Sequence, residues 1–236
     1  MLKIWDAHNF RRTLTGLSLI AAPLVFLAFW VTLPDLSTGP DDPTAMLAAI
    51  AANRERTMVA ALLLMLSSVL FLPAFVGLIH LLRDRGVVLG HLGGGLALLG
   101  ILGSMAQVAH FLVYVQMTTG GADQTQMVAL MSRIEGDTAL LPVRLTFAGY
   151  ELGLLLLAIG LWRARVGPRW AAAGILLSFV PFIVGQVFFE IRFFLLLMVA
   201  IRAISLGAIG WSVLRMSDGD WERLPEQGDQ RLHAAH

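Results

Sequence analysis

Residues 58–82 read MVAALLLMLSSVLFLPAFVGLIHLL, and RDRG follows at 83–86. A bilayer core of about 30 Å is crossed by about 20 apolar residues at ~1.5 Å rise each. The run is built almost wholly from Ala, Leu, Val, Met and Phe, and it is long enough to span. Arg83-Asp84-Arg85-Gly86 is a charged turn closed by glycine, and residues 90–115 return as a second apolar run. The pair reads as a transmembrane hairpin, and the rest of the chain is organised around it.

The returning run changes character along its length. Gly93, Ala97, Gly100 and Ser104 fall on one helical stripe, which lets another helix approach closely, within the chain or between chains. Gln107, His110 and Tyr114 follow on a shared face at i, i+3 and i+7. A weaker copy of the layout starts at Asp123. Thr44-Ala45-Met46 matches Thr125-Gln126-Met127, Arg83 matches Arg163, and Gln107 matches Gln186, at a near-constant offset of about 80 residues. The expectation is a parallel repeat of residues 41–118 and 122–199, each an outer amphipathic helix followed by two spans.

Composition supports this reading. The chain is 57% hydrophobic and 14% charged, with a mean hydropathy of +0.76, whereas soluble domains run nearer a quarter charged. A net charge of +1 gives no footprint for nucleic acid. Without cysteine there is no disulfide, thiolate metal site, iron–sulfur cluster or cysteine nucleophile. Lys3 is the sole lysine, so no span can carry a Schiff-base cofactor.

Taken in order, the spans are expected at 14–33, 58–82, 90–115, 141–162, 170–187 and 193–214. Pro181 is the expected kink of the fifth. The first apolar run is longer than a signal-peptide core and lacks a small-x-small cleavage site, so it reads as a retained anchor. Thr44 is the expected cap of a short outer helix reaching Arg56, with Met46, Leu47 and Ile50 on its apolar face. The second outer segment presents Met127, Leu130, Met131 and Ile134. Residues 1–216 form one domain and 217–236 a polar, flexible tail. Lys3, Arg11, Arg12, Arg83, Arg85, Arg163, Arg165, Arg169, Arg215, Arg223 and Arg231 fall on one side. Arg54, Arg56 and Arg133 fall on the other, which puts both termini in the cytoplasm.

Ionisable groups at membrane depth are costly unless paired, so they are the candidate functional residues. Glu151 and Arg202 lie near the middle of the fourth and sixth spans. Their equal depth suggests an ion pair that pins two helices, handles a proton or orients a ligand. Nearer the outer side lie Arg144, two turns from Glu151 on the same face, with Gln107, His110, Tyr114, Gln186, Glu190 and Arg192. Together these groups line a proposed outward-facing polar cavity; snorkelling and helix capping are the alternative. His80 and His91 flank the Arg83 turn, where two imidazoles could ligate haem. No third ligand completes a metal site. The chain has no phosphate-cradling loop, His-Glu-x-x-His, Gly-x-Ser-x-Gly or paired-aspartate motif, which disfavours a primary pump, zinc protease or serine hydrolase.

Asp42-Pro43-Thr44, Ala51-Ala52-Asn53, Leu81-Leu82-Arg83-Asp84-Arg85-Gly86, and Leu161-Trp162-Arg163-Ala164-Arg165 with Pro168-Arg169-Trp170 resemble the small multi-span proteins of actinobacteria and related bacteria, for which no activity is established. The resemblance implies topology and no catalytic residue. The expectation is therefore an all-α, polytopic plasma-membrane protein with six transmembrane helices and two short outer amphipathic helices. It contacts membrane lipids, carries no cofactor and works alone or as an oligomer. Its expected role is non-enzymatic, as a scaffold, an accessory subunit or a binder of a lipid or small apolar or amphipathic ligand. Two alternatives stand beside it. One is a membrane enzyme using Glu151 or Glu190 as general acid on a terpenoid-like substrate; the other is a haem or quinone redox protein.

Overall fold

The computed structural model describes residues 7–34, 42–120, 123–138, 141–188 and 191–222, so Lys3, Glu190 and the tail beyond residue 222 lie outside the described residues. All regular structure within that set is helical. In chain order it is α1 (Ala7–Thr32), α2 (Pro43–Ala52), α3 (Arg54–Leu81), α4 (Val87–Met117), α5 (Gln124–Gly136), α6 (Leu141–Ala164), α7 (Arg169–Leu177), α8 (Phe179–Phe188), α9 (Ile191–Arg215) and α10 (Asp218–Glu222).

Five of these helices, α1, α3, α4, α6 and α9, are long and apolar enough to cross a membrane. The fifth expected span is not a helix of spanning length. It is split into α7 and α8 at Ser178. The cause lies three residues on: Pro181 has no N–H for the Leu177 carbonyl, so the regular hydrogen-bond ladder cannot run through this point. Pro181 then occupies the first turn of α8, where proline is tolerated.

The short outer helices begin on aspartates. The Asp42 carboxylate, rather than the expected Thr44, caps α2 by accepting from the Ala45 N–H at 3.0 Å, with Pro43 opening the helix. The α2 helix stops at Ala52 instead of reaching Arg56, because the chain turns at Asn53 into α3. Asp123 caps α5 through the N–H groups of Thr125 and Gln126. Leu47, Ile50 and Met131 are buried beneath this pair of helices with Tyr114 and Val115 of α4. Leu130 points out.

The long helices and α7 close into a ring in which each packs on the next: α1, α3, α4, α6, α7, α9 and back to α1. Glycines set the closest approaches. A Cβ at Gly93 would lie 2.9 Å from the Gly153 carbonyl, and one at Gly100 would collide with the Tyr150 backbone. The glycine stripe of α4 is thus used within the chain, against α6. Between α1 and α9, a Cβ at Gly210 would lie 2.6 Å from the Gly16 carbonyl.

Arginines close the helix ends. Arg56 donates to the Thr32 carbonyl at 2.6 Å and to that of Val31 at 3.0 Å, and Arg192 donates to the Leu33 carbonyl at 3.0 Å. These are terminal carbonyls with no partner inside α1. At the opposite end Arg12 donates to the Met216 carbonyl, and Arg83 to that of Trp221 at 2.9 Å. Trp221 is 5% exposed and joins the main core. Its contacts make residues 218–222 a docked helix at the point where the sequence reads as the start of a loose tail.

Gly100→Leu is expected to lower the thermal midpoint by several degrees, since overpacking costs about 1–3 kcal/mol or more where backbone blocks the side chain. Gly95→Ala, where nothing lies within 4 Å, is expected to leave it unchanged or raise it. Thermal unfolding in one detergent measures both.

Candidate functional site

Arg202 of α9 is 3% exposed, deep in the ring. Its Nη1 donates to Glu151 Oε1 at 2.8 Å and its Nη2 to Oε2 at 2.6 Å, the parallel fork that guanidinium and carboxylate geometry favour. Its Nε donates to Ser178 Oγ at 2.9 Å, and that hydroxyl donates on to the Ile175 carbonyl at 2.6 Å. The guanidinium carbon also sits 4.8 Å from the Phe179 ring centroid, a cation–π distance. One cation therefore ties α6, the α7–α8 break and α9 together. Sequence reasoning pairs Glu151 with Arg202 by depth but misses Ser178. The available signal was a lone serine three residues ahead of Pro181 in an apolar span.

The Arg202 side of Glu151 is closed, and the other side opens into a cavity of about 750 Å³. Helices α1, α3, α4, α6, α8 and α9 all contribute to its wall, which is mainly aromatic and aliphatic. Tyr150 packs edge-on to Phe71 and Phe75 at 6.0 and 5.9 Å between ring centroids, and Phe26 reaches both Phe71 and Tyr150. Few polar groups reach this space. Ser67 and Ser68 both donate to the Leu64 carbonyl of their own helix, and Ser104 donates to that of Gly100. Gln107, Glu151 and Tyr150 line the cavity. The indole N–H of Trp30, buried in the same wall, has no hydrogen-bond acceptor. Lone buried donors of this kind are rare in folded proteins.

The structure divides the residues that the sequence grouped. Glu151, Gln107 and, through the ion pair, Arg202 belong to the cavity. Its α4 stripe is Ser104, Gln107 and Phe111, not Gln107, His110 and Tyr114. Tyr114 is 1% exposed beneath α5 and donates to Glu135, a partner the sequence did not suggest. His110 packs on Tyr114, with 6.1 Å between ring centroids. Tyr114 thus braces the outer helices with His110 against its ring, and neither lines the cavity, which is far more apolar than expected. Arg144 and Gln186 lie on α6 and α8, but their side chains, like Glu190 as a whole, lie outside the described residues. Arg192 caps α1.

His80 and His91 take separate partners. His80 stacks on Trp221 at 4.7 Å and contacts Arg83, while the exposed His91 bonds the Val87 carbonyl one turn back in α4. Among the described residues, no three His, Asp or Glu side chains converge as a metal site.

Fold and site together define an all-helical bundle with five helices suited to crossing a membrane and a ligand-sized, apolar cavity beside a buried ion pair. No protein-family model, curated protein or solved structure matches the chain, so its functional reading rests on these residues.

Breaking the pair from one side is expected to be severe. Glu151→Leu leaves Arg202 buried without its counter-ion and should destabilise the fold by about 3–5 kcal/mol. Glu151→Leu with Arg202→Leu should lose clearly less than the sum of the single variants. A double-mutant cycle of unfolding free energies in detergent reads both values.

Proposed function

We propose that the chain is a multi-pass protein of a bacterial plasma membrane that binds a small apolar or amphipathic ligand non-enzymatically in the cavity beside Glu151. The cavity itself carries the reading. Its volume of about 750 Å³ falls within the roughly 300–1,000 Å³ of small-molecule sites, and such sites pair apolar walls with a few converging polar groups. Gln107, Glu151 and Tyr150 supply those groups.

Several features support the membrane setting. Leu62, Leu102 and Ile204 are 55%, 63% and 65% exposed on the outer faces of α3, α4 and α9, a surface that suits lipid and not water. Trp162, Trp170 and Trp211 are exposed at the helix ends that also carry Arg163, Arg169 and Arg215, as an interfacial aromatic belt would be. The arginine-rich end is the cytoplasmic one in this reading. In it α7 and α8 together cross as a broken fifth span, which makes six crossings with α9 and leaves both termini inside and α2 and α5 outside.

Binding is favoured over general-acid catalysis because both Glu151 oxygens already accept from Arg202. The glycine stripe of α4 is consumed by α6, so it offers no face to a second copy.

The test is native mass spectrometry of protein gently extracted from its own membrane, alongside Ile101→Trp, which fills the cavity from α4. A co-purifying small molecule of fixed mass should appear on the wild type and fall at least about tenfold in occupancy on the variant. A wild-type protein that is always ligand-free, or equal occupancy on a correctly folded variant, contradicts the proposal.

A further inference from the structure

Resting on the cavity-binding reading above, we infer that the ligand reaches the cavity sideways from the lipid phase, through a cleft between α6 and α8, and that it is an uncharged amphiphile with a hydroxyl or carbonyl head.

The cleft follows from the break at Ser178. Before the break, α7 packs on α6 and α9; after it, α8 packs on α9, and α6 is not among its main neighbours. The ring is therefore closed between α6 and α7 and parts between α6 and α8. The other sides of the cavity are sealed by directly packed helix pairs: α1 on α3, α3 on α4, α4 on α6, and α9 on α1. The residues at the parting belong both to the cavity wall and to the outer surface. Phe147 is 39% exposed, Leu152 53% and Phe182 38%, and all three line the cavity. An apolar lip of this kind, set between the long apolar α6 and the short apolar α8, opens to hydrocarbon and not to water.

The head chemistry follows from charge. Among the described cavity residues the one carboxylate is Glu151, and Arg202 neutralises it with a two-point fork. Among the described residues a charged head would find no counter-ion of its own in this apolar space. A hydroxyl or carbonyl head instead meets matching partners. The Gln107 side chain, half-buried at the cavity wall, offers both a donor and an acceptor. The Trp30 N–H in the same wall lacks an acceptor. The bidentate carboxylate keeps lone pairs for a ligand hydroxyl.

Three probes with one oleoyl chain, each carrying a diazirine on that chain, test the inference: monooleoylglycerol, oleic acid and oleylamine. The full-length protein is reconstituted in phosphatidylcholine vesicles, labelled by light and mapped by peptide mass spectrometry. Monooleoylglycerol should label peptides carrying Phe147, Leu152 and Phe182 at least about tenfold more than either charged probe. Gln107→Leu should erase that preference. Leu152→Trp, a change at an exposed lip position, should slow labelling by about tenfold without lowering its final extent; Ala148→Trp is a second plug from the same helix. Equal or better labelling by a charged probe overturns the head assignment. Rates unchanged by both plugs overturn the lateral route, although the cavity would still bind. Absence of cavity labelling by every probe overturns the inference together with the binding reading beneath it.

Discussion

A guanidinium 3% exposed inside an apolar bundle is the constraint on which the structure depends. Taking such a group out of water is unfavourable by several kcal/mol unless its donors are matched. Arg202 matches them with the Glu151 fork, the Ser178 hydroxyl and the face of Phe179. Those partners come from α6 and from the break between α7 and α8, so satisfying one side chain fixes three parts of the ring. The break has a second effect. It ends the packing of this segment against α6, and the cavity lies where that packing stops. The ion pair and the cavity are thus two outcomes of one interruption, and the interruption traces to the N–H that Pro181 lacks.

Much of the fold was legible in residue order because a membrane imposes length on apolar runs. The expected spans coincide with α1, α3, α4, α6 and α9 to within a few residues, except at the start of α1, which begins at Ala7. The burial of Leu47, Ile50 and Met131 also follows from local pattern, whereas the caps of the short helices fall on Asp42 and Asp123 and not on the expected Thr44. The depth argument brought Glu151 to Arg202 correctly. Other features needed three dimensions. Helical spacing placed Gln107, His110 and Tyr114 on one side of α4 but could not say which neighbour each would meet. α5 lies over Tyr114, so its hydroxyl serves Glu135, while Gln107, about two turns away along α4, lines the cavity. Trp221 was read as part of a polar tail because Ser217, Asp218, Gly219 and Asp220 precede it and Glu222 and Arg223 follow. Its burial depends on Arg83 and His80 standing ready at the end of α3.

The cavity wall narrows the chemistry further. Its serines spend their hydroxyls on carbonyls of their own helices, which leaves them almost apolar toward the cavity. Aromatic rings from α1, α3 and α6 interlock around Tyr150 and give the space a stiff boundary. An aromatic-walled pocket with few polar groups suits the proposed ligand, recognised by shape and one or two hydrogen bonds and not by charge. That character fits a molecule drawn from the bilayer better than a polar solute from the aqueous side.

The most direct measurement is an experimental density map of the protein in lipid nanodiscs prepared without added ligand. The account predicts extended density between α6 and α8 that reaches Gln107 and Glu151, with the Glu151–Arg202 fork intact beside it. A map in which α8 lies against α6 along its length, leaving no space at Gln107, would contradict it.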